Sequence, residues 1–377
     1  MKIVHIADTH IGYSAYNKLD PDTGINQREQ DVYNAFGLCI ARILDIKPDA
    51  VIHAGDLFDS VRPTNRAISV ALDGLIRLSE AGIPTVLIAG NHETPRLRET
   101  GSVFRLFSHL KNIYPIYRAR PETVELGDLG VYAVPHSSQD GAMADGLSKY
   151  HFPDDVRYRV MTVHAGVSGM KAFKTGSFNE QLVPSGCIPR QNVDYVALGH
   201  YHEECQVEDR AYYSGSTERL SFAEANHERK GFLQIDLDRA DDPDFISIPT
   251  REMVDLPLLD CSSVSPDAIN RTIMERVDSE DLSGKVARLR VLNIPRIVYK
   301  SLDFAKLRSR GKDAIHFEIR YHVLDIQGAQ EAQAPQFRTL REEFEGFLAK
   351  EPVEGADKND LEKLGLSYLE RVQEEGK

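Results

Sequence analysis

The segment KIVHIADTHIGY, Lys2 to Tyr13, runs from an apolar strand pattern directly into a turn that carries Asp8 and His10. The same arrangement recurs along the first 240 residues, where Val-, Ile- and Leu-rich runs alternate with longer amphipathic stretches. This alternation predicts an α/β domain with polar chemistry at its strand ends. The predicted strands are Lys2 to Ala7, Ala50 to Ala54, Pro84 to Ala89, Gly130 to Val134, Arg159 to Val163 and Tyr195 to Leu198.

Two amphipathic stretches between these runs predict covering helices. Gln27 to Ile46 and Thr64 to Ala81 carry apolar residues at helical spacing, and Pro63 stands just before the second. At about 150 residues per domain, 377 residues predict two to three domains. The formal net charge is -13, so any nucleic-acid site has to be local, and bound cations would supply local positive potential.

The cysteines and the apolar runs exclude several classes of protein. Four scattered cysteines without a CxxC pair indicate neither a disulfide framework nor a thiolate zinc site, and a reducing compartment is expected. No apolar run approaches the roughly 18 residues that a membrane span needs, and the N-terminus lacks a signal-peptide layout. We therefore expect a cytoplasmic protein without a membrane segment.

The last third of the chain has a different pattern. Residues 251 to 325 alternate helix and strand patterns as a small α+β unit, with predicted helices Ser265 to Val277 and Ser301 to Arg310 and predicted strands Lys285 to Leu292 and Ala314 to Val323. Residues 327 to 336 are polar and interrupted by Pro, as in a linker. Two short helical stripes follow, at 337 to 348 and 361 to 372, and they either pack on the same chain or dock on a partner.

Five short segments at predicted strand ends concentrate the metal-capable side chains of the first domain. Loops that leave the carboxyl ends of neighbouring strands converge on one crevice, so these donors are expected to share a pocket. Mixed carboxylate, amide and imidazole donors suit a divalent metal such as manganese. The donors are Asp8, His10, Asp56, Asn91, His164, His200 and His202.

Two ions fit this donor set better than one. Two ions about 4 Å apart need a bridging carboxylate, and Asp56, isolated between donor sets, is the expected bridge. A single histidine of this kind is better explained by a hydrogen-bonded position near the core. Five such segments, each after an apolar run, favour the metal site.

The pattern D-x-H, G-D, G-N-H-E, His, G-H-x-H from Asp8 to His202 resembles that of the calcineurin-like binuclear metallophosphoesterase superfamily. The resemblance implies a four-layer sandwich of two mixed sheets flanked by helices, with a two-metal site that hydrolyses phosphoesters. It implies that one ion is held by Asp8, His10, Asp56 and His202, and the other by Asp56, Asn91, His164 and His200. It also implies that His92 is the acid that approaches the leaving group.

Within the superfamily, six segments are similar to the double-strand-break repair nuclease subunit, the archaeal and eukaryotic relative of bacterial SbcD. They are HIADTHIGY (5–13), VIHAGDLFD (51–59), RPTNRA (62–67), AGNHETPR (89–96), YSGSTER (213–219) and KGFLQIDL (230–237). Glu93 stands where many relatives have Asp. The resemblance implies a nuclease domain at 1–250, a capping domain at 251–326, a linker at 327–336 and a helical segment at 337–377 that binds an SMC-like coiled-coil ATPase.

The same resemblance implies double-strand exonuclease and single-strand endonuclease action on DNA with two manganese ions per chain, in the nucleoid of an archaeal cell. It further implies a homodimer, for which Thr64 to Ala81 and Ser102 to Leu110 are the candidate helices. No GxxxxGK[ST] loop occurs, so ATP would bind the partner. The candidates for phosphate contacts are Arg62, Arg66, Arg96, Arg98, Lys171 and Lys174, each of which is equally explained as solvated surface charge.

Two other functions stay open at this point. The metal core does not encode substrate size, so a phosphodiesterase for small nucleotides is one alternative. The other is a DNA-end tethering scaffold in which cleavage is secondary, which the helical stripes permit.

Overall fold

Two six-stranded mixed sheets precede residue 250 in the computed structural model, which describes residues 1–94, 101–169, 180–189, 191–239, 242–324, 344, 348 and 357–375. The strands are β1 (Lys2–Ile6), β2 (Ala50–His53), β3 (Thr85–Ile88), β4 (Ile113–Ile116), β5 (Glu122–Leu126), β6 (Leu129–Val134), β7 (Tyr158–His164), β8 (Gly166–Ser168), β9 (Leu182–Pro184), β10 (Tyr195–Gly199), β11 (Cys205–Glu208), β12 (Ala211–Tyr213), β13 (Lys230–Asp236), β14 (Asp244–Ile248), β15 (Met253–Asp260), β16 (Val286–Pro295) and β17 (His316–Leu324). The helices are α1 (Gln27–Ile46), α2 (Asn65–Glu80), α3 (Ala142–Ser148), α4 (Pro266–Asp278), α5 (Arg296–Ser301), α6 (Phe304–Arg310) and α7 (Lys358–Glu375).

Parallel pairing in both sheets brings the loops with metal-capable side chains to the same edge. The first sheet has the order β14-β13-β1-β2-β3-β4, with β1 to β4 parallel to one another and β13 antiparallel to β1. The second has the order β11-β12-β10-β7-β6-β5, in which β6, β7, β10 and β12 are parallel. Because parallel strands end at a common edge, the turns after β1, β2 and β3 lie beside one another, and so do those after β7 and β10.

The buried side chains form layers around the two sheets. Ile3 and Ile52 of the first sheet and Val131, Val160 and Ala197 of the second share one core cluster between the sheets. A second cluster joins the other face of the first sheet to α1 and α2, and a third joins the other face of the second sheet to α3. The predicted four-layer arrangement, two mixed sheets flanked by helices, is confirmed.

Helices α1 and α2 begin at capping residues, and α1 also ends at a residue with a local signal. Asn26 caps α1 by accepting from the backbone N–H groups of Arg28 and Glu29, and Lys47 ends it in a left-handed conformation. Thr64 caps α2 and accepts from the N–H of Ala67. The bounds of α1 equal the predicted ones, since capping side chains and apolar spacing are both properties of the local sequence.

Residues 253 to 324 build a third sheet, with the order β15-β16-β17, together with α4, α5 and α6. Arg251 donates to both carboxylate oxygens of Asp31 in α1 at 2.5 Å, and His316 of β17 stacks on Tyr16 with ring centroids 4.1 Å apart. The compact unit that contains these contacts is Met1–Ile294 with Val298–His322. The predicted domain limits at 250, 326 and 336 stay predictions.

A second unit consists of Pro295–Ile297 and Val323–Lys377. It contains α7, which covers the second predicted helical stripe, and two helical residues of the first, Phe344 and Leu348. Gly365 of α7 lies against the ring of Phe344. The predicted linker, 327 to 336, lies outside the described residues. Among the described helices, none has the length and apolarity to cross a membrane.

Candidate metal centre

The turn after β1 directs two successive donor residues inward. Asp8 and His10 have φ values of 51° and 44°, in the left-handed region that most side chains avoid. The turn is held by hydrogen bonds from their backbone N–H groups to the carbonyls of Gly55 and Asp56, both at 3.0 Å. Asp56 itself has a φ of 52°. The turn expected at Asp8 and His10 is present.

Two glycines are required by close contacts at this centre. A Cβ atom at Gly90 would overlap the carboxylate of Asp56, and one at Gly199 would overlap the carbonyl oxygen of Ala54. Neither glycine has a positive φ, so the requirement is for space. These glycines let the loops after β3 and β10 approach the loop after β2.

Asp8, His10 and His202 form one group of side chains that could hold a metal ion. The Nε2 atoms of His10 and His202 are 3.2 Å apart, and Asp56 Oδ2 is 3.7 Å from His10 Nε2. Asp8 and His10 are buried, and His202 is partly buried.

A second group lies on the other side of Asp56. His164 Nε2 is 3.3 Å from Asp56 Oδ2 and 2.9 Å from Asn91 Oδ1. His200 Nδ1 is 3.1 Å from the same Asn91 oxygen. The structure therefore brings all seven predicted donors together, with the carboxylate of Asp56 in reach of both groups.

All four of these histidines have an acceptor at the far nitrogen, which is Nε2 in His200, 3.3 Å from Glu180 Oε1, and Nδ1 in the other three. His10 Nδ1 faces Asp59 Oδ1 at 3.2 Å, and His202 Nδ1 faces Glu224 Oε1 at 3.0 Å. His164 Nδ1 faces the carbonyl oxygen of Ala54 at 2.8 Å. Because these oxygens only accept, the neutral rings of His10, His164 and His202 carry the proton on Nδ1 and direct the Nε2 lone pair into the centre.

Ring nitrogens and carboxylate oxygens that converge on one point are stabilised by a cation, which is either a shared proton or a metal ion. His10 Nε2 and His202 Nε2 meet in this way at 3.2 Å, and His164 Nε2 lies 3.3 Å from Asp56 Oδ2. A mixed set of imidazole, carboxylate and amide oxygen donors suits manganese and similar divalent ions. The residues present thus fit a divalent metal.

The electrostatics of the centre favour positive charge in the same way. Burial would lower the pKa of His164, but the carboxylates of Asp56 and Asp8 raise it to about 9. Burial would raise the pKa of Asp56, but His164, His92 and His10 hold it well below its usual range. The site stabilises a cation, whether this is a proton or a metal ion.

His92 lies beside the donors with one ring nitrogen fixed. Its Nδ1 donates to the backbone carbonyl of Asp59 at 2.8 Å, and its Nε2 is 4.0 Å from Asp56 Oδ2. The side chain is 28% exposed, whereas Asp56 is 3% exposed. His92 therefore presents Nε2 at the rim, where a substrate would approach.

Sequence reasoning did not assign five residues that orient the donors. They are Asp59 at His10, Glu93 between two ligand loops, Glu180 at His200, and Glu224 and Lys230 behind His202. Only Asp59 and Glu93 stand in motifs that also contain ligands, GDLFD and GNHE, so only these two had a local signal. His53 and His136, to which no role was assigned, are buried, and burial lowers the pKa of His53 to about 3.

The predicted phosphate-binding side chains are described only in part. Arg62 is exposed, and Arg66 is 52% exposed and paired with Glu29 at 3.2 Å. Arg96, Arg98, Lys171 and Lys174 lie outside the described residues.

Comparisons with known proteins agree with this geometry. A family model described as calcineurin-like phosphoesterase matches residues 1–204. The DNA double-strand break repair protein Mre11 of Methanocaldococcus jannaschii is 31% identical over 303 residues, which cover 76% of this chain and 77% of that protein. The Mre11 protein of Methanococcus maripaludis is 32% identical, with 63% of each chain covered. That of Sulfurisphaera tokodaii is 31% identical, with 53% of this chain and 49% of that protein covered.

Proposed function

The chain belongs to the calcineurin-like phosphoesterases and, within them, to the family of the DNA double-strand break repair protein Mre11, and on this premise we propose that it is a manganese-dependent nuclease of DNA ends. Membership makes it a metal-dependent phosphodiesterase. The observation that carries the proposal is that His10 Nε2 and His164 Nε2 lie 3.7 and 3.3 Å from the same oxygen, Asp56 Oδ2, with His202 Nε2 3.2 Å from His10 Nε2. Exonuclease action on duplex ends and endonuclease action on single strands are the proposed reactions.

The two donor groups would hold two manganese ions. Asp8, His10, Asp56 and His202 would hold one, and Asp56, Asn91, His164 and His200 the other, with Asp56 shared. When bound, two such cations lower the pKa of a water nucleophile and neutralise charge on the phosphoryl oxygens during in-line attack.

His92 would supply the proton for the leaving oxygen. Its Nδ1–H is engaged by the carbonyl of Asp59, so Nε2 is the atom that holds and delivers the proton. General acid catalysis of this kind contributes about 100-fold or more to the rate. The ring is outside both proposed ligand sets.

DNA binding by a chain of net charge -13 has to be local. The candidates among the described residues are the exposed guanidinium groups of Arg62, before α2, and of Arg66, in the first turn of α2. Contacts of this kind weaken as salt is added, because binding releases condensed counterions. Affinity for duplex DNA that does not change with salt would contradict this part of the proposal.

The C-terminal segment would bind an SMC-like ATPase. Leu364 and Tyr368, one helical turn apart on α7, are 54% and 59% exposed, which suits a surface that docks on a coiled coil. A homodimer through α2 and the 3-10 helix Val103–His109 is the second proposed assembly, supported by exposed Ile76 and Leu106. Sedimentation at micromolar concentration tests the dimer. We further propose a cytoplasmic, nucleoid-associated protein.

The deciding experiment compares linear duplex DNA with a cyclic dinucleotide as substrates, each with manganese, for wild type and His92→Ser. We expect manganese-dependent shortening of the duplex by wild type and strong loss in the variant. An intact duplex beside a cleaved dinucleotide would favour a small-nucleotide phosphodiesterase. DNA bridging without cleavage of either substrate would favour a tethering scaffold.

A further inference from the structure

Two sequence segments without a chemical role, YSGSTER (213–219) and KGFLQIDL (230–237), meet at His202. The backbone N–H of Ser216 donates to the carbonyl of His202 at 3.2 Å. Gly215 has a φ of +73°, and a Cβ atom there would come within 2.9 Å of the backbone nitrogen of Glu204. The first segment therefore wraps closely around the backbone of the GHYH loop.

Lys230, the first residue of β13, is 1% exposed and has three oxygen acceptors. Its Nζ donates to the carbonyl of His202 at 2.8 Å, to Ser216 Oγ at 2.7 Å and to Glu224 Oε2 at 2.5 Å. Ser216 Oγ donates its own hydrogen to the carbonyl of Glu218, so it is free to accept from the lysine. The three hydrogens of the ammonium group are thus matched by three oxygens, and His227 Nδ1 also lies 3.1 Å from Nζ.

Glu224 links this lysine to the imidazole of His202. Its Oε1 accepts from His202 Nδ1 at 3.0 Å and from the N–H of Leu220 at 3.2 Å, while Oε2 faces Lys230. Glu224 is 4% exposed, and a buried carboxylate needs a paired cation and hydrogen bonds to stay ionised. Lys230 supplies the cation.

The far nitrogen of His164, in contrast, rests on the neutral carbonyl of Ala54. A carboxylate on the far nitrogen of a ligand histidine fixes the ring and raises its basicity. His202 and His164 belong to different donor groups, and in the second group the carboxylate lies at His200, whose Nε2 is 3.3 Å from Glu180 Oε1.

We propose that Glu224 and Lys230 are positioning residues that hold His202 with Nε2 toward the metal and thereby set manganese affinity at the Asp8–His10–His202 group. The inference rests on the proposed function, since it takes these side chains as ligands. The lysine acts through the glutamate, and the glutamate acts through the imidazole.

The test is a calorimetric titration of manganese into metal-free protein, with the electron paramagnetic resonance signal of the coupled ion pair as a second readout. The variants are Glu224→Gln and Lys230→Met, and the control is Glu228→Gln, which alters an exposed carboxylate two residues before Lys230. We expect wild type and the control to bind two ions. Both test variants should bind one of the two about 10- to 100-fold more weakly and lose the coupled signal.

Affinity within twofold of wild type in Glu224→Gln overturns the inference. Wild type that binds no manganese overturns the proposed function instead, so the two failures are distinguishable. If circular dichroism shows that Glu224→Gln does not fold, the manganese titration is repeated with Glu224→Asp. This variant keeps the charge, but it is one methylene too short to reach both His202 and Lys230, so weaker binding supports the inference and wild-type affinity overturns it.

Discussion

The Nε2 atoms of His10 and His202 face each other at 3.2 Å, although each ring has a carboxylate on its far nitrogen. Two neutral rings in this tautomer place two lone pairs in contact, which is unfavourable unless a cation lies against both. The centre therefore favours a cation between the two rings, and metal ions that bind only the folded state will stabilise the fold.

Manganese should stabilise the fold, and the loss of Asp56 should remove this effect. At free manganese 100-fold above the dissociation constant, each bound ion contributes about 2.7 kcal/mol. We expect a rise in melting temperature when manganese replaces EDTA in wild type and no rise in Asp56→Asn, because the shared carboxylate is lost. A similar rise in both proteins would contradict the shared position of Asp56.

Substitution of His92 should separate metal binding from turnover. Nδ1 of this ring is held by the carbonyl of Asp59, and the ring is not a ligand, so His92→Ser should keep two ions per chain by elemental analysis. The rate of duplex digestion should fall about 100-fold or more, since the leaving oxygen loses its proton donor. Loss of both ions from this variant would instead make His92 part of the metal centre.

The sequence predicts those parts of the molecule whose determinants, such as helix caps and short motifs, lie close together along the chain. The helix Gln27–Ile46 has its cap, Asn26, one residue away, and Asp8, His10, Asp56 and Asn91 stand in short motifs directly after strands. The strand Met253–Asp260 was not predicted, because Pro257 interrupts its pattern and its partner β16 lies about 30 residues later, with a register shift between Leu256 and Leu259.

Most of the residues that orient the metal ligands could not be predicted from the sequence, because they too lack a local signal. Glu224 and Lys230 meet His202 only after β13 pairs with β1, so no short motif joins them. The predicted helix Ser301 to Arg310 also differs from the structure, which has α5 at Arg296–Ser301 and α6 at Phe304–Arg310. Asp303 caps the second of these and accepts from the N–H of Lys306.

A methyl group at Gly90 should disrupt the metal centre, whereas a methyl group at Gly37 should be tolerated. A methyl group at Gly90 would overlap the carboxylate of Asp56, so Gly90→Ala should displace the proposed bridge and abolish manganese binding in the calorimeter. Gly37 lies within α1, and a methyl group there would meet nothing within 4 Å, so Gly37→Ala should raise stability by about 0.5 to 1 kcal/mol. Manganese affinity equal to wild type in Gly90→Ala would show that the loop relaxes.

Glu93 should stabilise the contact between two ligand loops, the one after β2 and the one after β3. Its carboxyl oxygens accept from the N–H of Phe58 at 2.6 Å and from that of Gly90 at 2.8 Å. An amide in its place accepts only one of these, so Glu93→Gln should lower the free energy of unfolding by about 1 to 3 kcal/mol and weaken manganese binding. Exposed Glu125→Gln is the control and should change stability by less than about 0.5 kcal/mol.

The buried ring of His5 should lower the free energy of unfolding in mild acid. Its ring is buried between the sheets, with Nδ1 2.9 Å from the hydroxyl of Tyr195 and Nε2 3.2 Å from the carbonyl of Leu198, and burial lowers its pKa to about 3. The unfolded chain takes up the proton near pH 6.5 and the folded chain does not, so between pH 6.5 and 3 the unfolded state is favoured increasingly as pH falls. The contribution of neutral His5 to the free energy of unfolding is fully present above pH 6.5.

The matched comparison for His5 is His5→Gln, which cannot titrate. Both proteins are unfolded with urea in EDTA at pH 7 and at pH 5, so that metal release does not contribute to the difference. From pH 7 to pH 5, wild type should lose about 2 kcal/mol more than the variant, since one pKa unit corresponds to about 1.4 kcal/mol. Equal losses in the two proteins would mean that the folded protein accommodates a charged His5, and the buried pair of hydrogen bonds with Tyr195 and Leu198 would then have to rearrange.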